Sequence, residues 1–120
     1  MEHDCITYQG YPERTLEGGF KVFKITEKGG VITFFPTASQ KLYNHSPDGF
    51  AWGYEGSGPA QLALALIYDA TRDKEVALAS YQNFKFKIVS SWPMDEKWEI
   101  TDDKIREWLE NNHYNNPIGD

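Results

Sequence analysis

Along this chain apolar and polar positions recur with two different periods, and the change of period marks its elements. Phe20 to Thr26, FKVFKIT, is rich in aromatic and β-branched residues and reads as a strand. EKGG at 27–30 is a turn signal, and Val31 to Phe35, VITFF, is the returning strand of a hairpin with a four-residue connection. Pro36 ends it, because proline cannot donate to a sheet ladder. Ile6 to Tyr8 predicts a short first strand, followed by a loop through Gly10, Pro12 and Gly18–Gly19. Residues 37–44 read as a short extended segment around Leu42 and Tyr43.

From residue 59 the period changes. Ala60 to Ala70, AQLALALIYDA, consists of strong helix formers with Pro59 ahead of it, and proline suits the first helical position. Ser57 or Gly58 is the expected N-cap. Leu62 to Ile67 leave no polar face, so the helix of about 59–71 is expected to be central and buried. After the polar break at 71–74, EVALASYQN at 75–83 predicts a second, antiparallel helix. FKFKIV at 84–89 alternates apolar residues with lysine and reads as a half-exposed strand. Lys97 to Ile100 is short and extended, and Thr101 caps a last helix whose stripe is Ile105, Trp108 and Leu109. Asp102 and Asp103 favour its first turn through the helix dipole. The expected fold is α+β: a small, mainly antiparallel sheet packed against about three helices, in a single domain over 1–120 with a frayed tail at 113–120.

Between these halves lies SPDGFAWGYEGSGP, 46–59. If extended, Phe50, Trp52 and Tyr54 put three rings on one side of the chain. A glycine loop ending at a helix N-terminus presents outward N–H groups, so Gly56, Ser57 and Gly58 form a candidate anion site, with Trp52 or Tyr54 stacking on a ligand. The competing reading is a structural loop whose aromatics pack on the core. GYEGSGPAQ is not the GxxxxGKS/T phosphate loop, and it lacks the GxGxxG context of dinucleotide binding. The segment GFxWGYxGSGPAQLALAL, with the YxxFK that follows, resembles a family of short bacterial and phage proteins of unknown function. The resemblance implies a prokaryotic or phage origin and carries over no catalytic residue.

Composition narrows the functional classes. Hydrophobic residues at 40% and charged residues at 25% are those of a globular chain, so no disordered class is needed. The single Cys5 cannot bridge within the chain, and with no signal-like N-terminus it points to the cytoplasm. No apolar run reaches the length of a membrane span. The formal net charge is −6, of which −5 falls in residues 95–120, so the chain lacks the basic footprint of direct nucleic-acid binding.

No histidine pair or cysteine spacing predicts a metal site, and no cofactor is expected; His3 at an N-terminus gives only a generic Cu(II) or Ni(II) chelate. His45 and Asp48 in NHSPD are the candidate acid–base pair of a small hydrolase. Asp before Gly is equally ordinary turn chemistry. Three readings follow, in order. The first is a non-catalytic protein-interaction or regulatory module. The second is a module for a small anionic ligand, nucleotide or phosphate, at the glycine loop. The third is a hydrolase. The oligomeric state is left open.

Overall fold

The computed structural model describes residues 5–112. Its order is β1 (Ile6–Arg14), β2 (Phe20–Thr26), β3 (Gly30–Thr33), α1 (Thr37–Leu42), α2 (Ser57–Thr71), α3 (Lys74–Lys87), a 3-10 turn (Val89–Ser91), β4 (Trp98–Thr101) and α4 (Asp102–Asn112). The strands form one antiparallel sheet in the order β3-β2-β1-β4. The α+β expectation holds. The expected tail at 113–120 and His3 lie outside the described residues.

The centre is α2. Leu62, Leu64, Leu66 and Ile67 are each fully buried. At about 1.5–3 kcal/mol per buried aliphatic side chain, these four outweigh the ~1 kcal/mol that a missing N-cap costs. Accordingly α2 forms with Gly56 as N-cap and no side-chain cap bond. The expected cap at Ser57 or Gly58 is therefore corrected: both are helical, and Pro59 is the third helical residue, where the N–H is still dispensable.

Four further expectations change. First, β1 runs on to Arg14 rather than ending at Tyr8. Gly10 belongs to the strand because the Trp98 indole lies against it; an added Cβ would sit 2.2 Å from Trp98 Nε1. Pro12 is tolerated since β4 pairs only Thr7 to Gly10, and the β2 register shifts between Tyr11 and Arg14. Second, residues 37–42 are a helix, not an extended segment.

Third, 84–87 continue α3 instead of forming a strand. The Asp73 carboxylate caps the helix by accepting from Glu75 N at 3.1 Å and Val76 N at 3.2 Å. Ala77, Ser80, Tyr81 and Phe84 then fall on one buried face, and Lys85 and Lys87 suit the last turn. The alternation of FKFK is overruled, and Phe86 is left exposed. Fourth, β3 is shorter than expected and Thr26 pairs with Gly30, so the hairpin connection has three residues.

The α4 expectation stands. Thr101 Oγ1 accepts from Lys104 N at 3.2 Å, Ile105 is fully buried, and Trp108 and Leu109 pack on the core.

Candidate functional site

The predicted aromatic loop splits in two. Phe50 and Trp52 are buried, whereas Tyr54 is exposed. Gly53 takes φ +89 and turns the chain there, which ends the extended alternation that would have aligned all three rings. Trp52 is spent on the core: its ring lies 5.0 Å from Phe20 and 5.5 Å from Trp98, and its Nε1 donates to Glu96 O at 3.3 Å. Tyr54 folds back over the glycines. A Cβ on Gly56 would meet the Tyr54 ring at 2.6 Å, and one on Gly58 would meet Ala51 Cβ at 2.7 Å. Glu55 pairs with Lys85 at 3.7 Å. Neither described cavity is lined by Gly56, Ser57 or Gly58.

His45 and Asp48 are not brought together: no hydrogen bond or ion pair joins them. His45 Nε2 lies 2.5 Å from Tyr81 Oη, and its ring stacks on Tyr43 at 4.3 Å and 8°. Its backbone N–H and that of Ser46 donate to Gln61 Oε1, at 2.7 and 2.9 Å. The fully buried Gln61 also donates to Ser39 Oγ at 2.9 Å and Tyr43 O at 3.2 Å, so its amide is fully used. Burial, and then the Lys85 charge, push the His45 pKa down; burial pushes that of Tyr81 up. The imidazole tautomer sets which of the two groups donates. His45 is a braced ring, held away from Asp48 by the contacts of its own backbone.

Asp48 instead stands on the rim of a cavity of about 590 Å³, together with Glu17, Leu16 and Phe35. The cavity exists because β3 stops at Thr33 while β2 extends back to Phe20. Its walls are the 15–19 turn, Phe34 to Thr37, and Pro47 to Phe50, which is tied to β2 by the Phe20 N–H donating to Phe50 O at 2.9 Å. Phe34 and Phe50 stack at 5.7 Å in the floor. Leu16 at the turn tip is 102% exposed and Phe35 on the opposite rim 66%. No ion pair engages the Glu17 or Asp48 carboxylate among the described residues. Lys21, also on the wall, is committed to Glu13 at 3.2 Å.

The cavity continues into a free sheet edge. Phe34 N–H donates to Val22 O at 2.8 Å, and Ile32 pairs with Lys24. Alternate residues of an antiparallel strand address opposite neighbours. The backbone groups of Val31 and Thr33 therefore point away from β2. Residues 30–35, GVITFF, carry no charge and no proline, and Val31 and Ile32 are 63% and 55% exposed. Among the described residues no strand pairs with this edge, and residues 30–35 lack the charges and proline that blunt an edge strand.

Asp48 and Phe50 drew notice in the sequence for other roles, and the remaining residues of the cavity and edge carry no sequence motif. Two signals were there to find: adjacent Phe34 and Phe35 cannot both face one side of a strand, and Leu16 is the apolar residue of an otherwise polar turn.

One grouping with metal-ligand spacing occurs among the described residues: Cys5, Asp102 and Asp103 bring ligand atoms within 4.8 Å. Arg106 already lies 3.4 Å from Asp102 and 2.6 Å from Asp103, and Ile6 N–H donates to Asp102 at 3.2 Å, which explains the carboxylates without an ion.

The molecule is thus an α+β protein with a cavity of about 590 Å³ that opens beside the edge strand β3. Residues 8–111 match the model of a family of unknown function, DUF6166, and the chain belongs to that family. No curated protein and no solved structure matches it. No described helix is long and apolar enough to cross a membrane.

Proposed function

We propose that this protein is a non-catalytic interaction module that captures an extended segment of a partner protein along β3. The observation that carries the reading is the uncharged free edge at 30–35, with exposed Val31 and Ile32 beside it and Phe35 at its end. A strand added there satisfies the outward N–H and C=O groups of Val31 and Thr33, and its alternate side chains cover the apolar ones. The partner is basic and apolar. Val31, Ile32 and Phe35 offer exposed apolar contacts, and the exposed Glu17 and Asp48 carboxylates of the cavity that Phe35 also lines favour lysine- or arginine-bearing segments.

The test is selection of displayed random peptides of about nine residues on the purified chain. Enrichment of segments that alternate apolar and polar residues and carry Lys or Arg is expected. Thr33→Pro removes an outward donor but no β2–β3 bond, and is expected to weaken the enriched peptides about tenfold or more at nearly unchanged melting temperature. Val31→Lys, which leaves the backbone intact, is the companion variant. The reading is overturned by no enrichment, by peptides indifferent to both variants, or by a chain that dimerises through 30–35.

A further inference from the structure

We infer that the cavity at the end of this edge receives a cationic side chain, lysine or arginine, of the captured segment. The inference rests on the strand-capture reading and assigns the chemistry of its specificity pocket.

Three observations converge on it. The floor is aromatic, with Phe34 and Phe50 stacked and Phe20 beside them, which suits the methylene stem of a long side chain. The rim is anionic: Glu17 and Asp48 are exposed and have no ionic partner among the described residues. The nearby cations are already engaged. Lys21 is paired with Glu13, and the Arg14 guanidinium lies 5.0 Å over the Phe20 ring while donating to Gly18 O.

Beside the cavity, Arg14 shows how the Phe20 ring holds a guanidinium, with the ring face below and the Gly18 carbonyl as acceptor. With Arg14 counted against Glu17 and Asp48, one negative charge remains to be matched at the mouth. An apolar side chain would fill the floor and leave that charge unmatched. An acidic one would add repulsion. A lysine or arginine satisfies floor and rim together.

Continuity fixes where that side chain comes from. A strand paired to Val31 and Thr33 runs on past Phe35, and Thr33, Phe34 and Phe35 of the edge all line the cavity. One side chain beyond the paired stretch then drops into the cavity.

The probes are n-butylguanidinium and n-butylammonium, compared with butanol and butyrate as neutral and anionic isosteres, titrated against the isotope-labelled full chain by NMR. The cations are expected to shift the amides of residues 16–19, 34–37 and 48–50 with a Kd on the order of 10 mM, within reach of ligands of this size. Binding is expected to be about fivefold tighter than for butanol, and the preference to shrink with salt. Asp48→Asn with Glu17→Gln is expected to erase the preference while leaving butanol binding in place. A cation that binds no better than butanol, a preference that survives the double variant, or shifts elsewhere on the molecule would each overturn the inference. Thr33 lines the cavity but Val31 does not, so Val31→Lys is the variant that separates the two readings. Failed cation preference with intact, Val31→Lys-sensitive peptide capture rejects the pocket alone. A retained preference with peptides indifferent to Val31→Lys rejects strand capture, and with it the assignment of the cation to a captured segment.

Discussion

Lys24 Nζ on β2 and the Asp69 carboxylate on α2 lie 2.9 Å apart across the interior, with side chains only 14% and 12% exposed. Tyr8, fully buried on β1, donates to the same carboxylate at 2.6 Å. Burial, then the hydrogen bond and charge of Asp69, hold the Tyr8 phenol protonated far above its usual range. One carboxylate thus joins two strands to the central helix. Removing one partner of a buried pair strands the other.

Asp69→Ala is therefore expected to destabilise the fold by about 3 kcal/mol in urea unfolding. The matched double change, Asp69→Leu with Lys24→Met, should recover part of that loss, since no buried charge is left alone although the Tyr8 hydroxyl still lacks its acceptor. Equal loss in the single and double variants would contradict the assignment of the cost to a stranded Lys24.

Gln61 is the corresponding brace on the other side of α2. Gln61→Met keeps the volume but leaves the His45 and Ser46 N–H groups, the Tyr43 carbonyl and the Ser39 hydroxyl without their shared partner. A loss of about 3 kcal/mol is expected, at ~1 kcal/mol or more for each buried group not rescued by water. Amide hydrogen exchange should rise at residues 43–46 before it rises in α3, where no hydrogen bond depends on Gln61.

His45 predicts an acid-side weakness. Its folded pKa is lowered below 6.5 by burial and by Lys85, so the unfolded chain binds more protons there. The corresponding stability is present above the unfolded pKa of about 6.5 and is lost as pH falls through the lower folded value. The groups facing it are Lys85, Tyr81 and Tyr43. His45→Gln should flatten the melting-temperature profile between about pH 7 and 5. An unchanged slope would remove His45 as the cause.

The limits of sequence reading show at particular residues. FKFKIV has strand alternation, yet Asp73 upstream starts a helix whose buried face reaches Phe84, and local alternation lost to burial at helical spacing. Gly10 and Pro12 look like loop punctuation. They lie within β1 because Trp98, 88 positions away, covers the glycine, and because β4 does not extend as far as the proline. The candidate pair His45 and Asp48 rests on proximity in sequence alone. The Gln61 brace and the Tyr81 contact turn His45 one way, and the turn at Gly49, φ +118, leaves Asp48 on another surface.

What the sequence determined by itself is what depends on neighbours along the chain. The strand Phe20–Thr26, the apolar helix around 59–71, the Thr101 cap with the stripe of α4, and the α+β class all follow from local propensity and period. What only the tertiary structure decided is which surface stays uncovered. Residues 31–35 read simply as a strand until the sheet order leaves β3 at its edge. The cavity beside Leu16 and Phe35 arises where β3 ends short of the start of β2, and Glu17 and Asp48 share its rim although 31 positions apart in sequence. Exposure is set by what the rest of the chain fails to cover, and that is a property of the packed whole, which no period along the chain encodes.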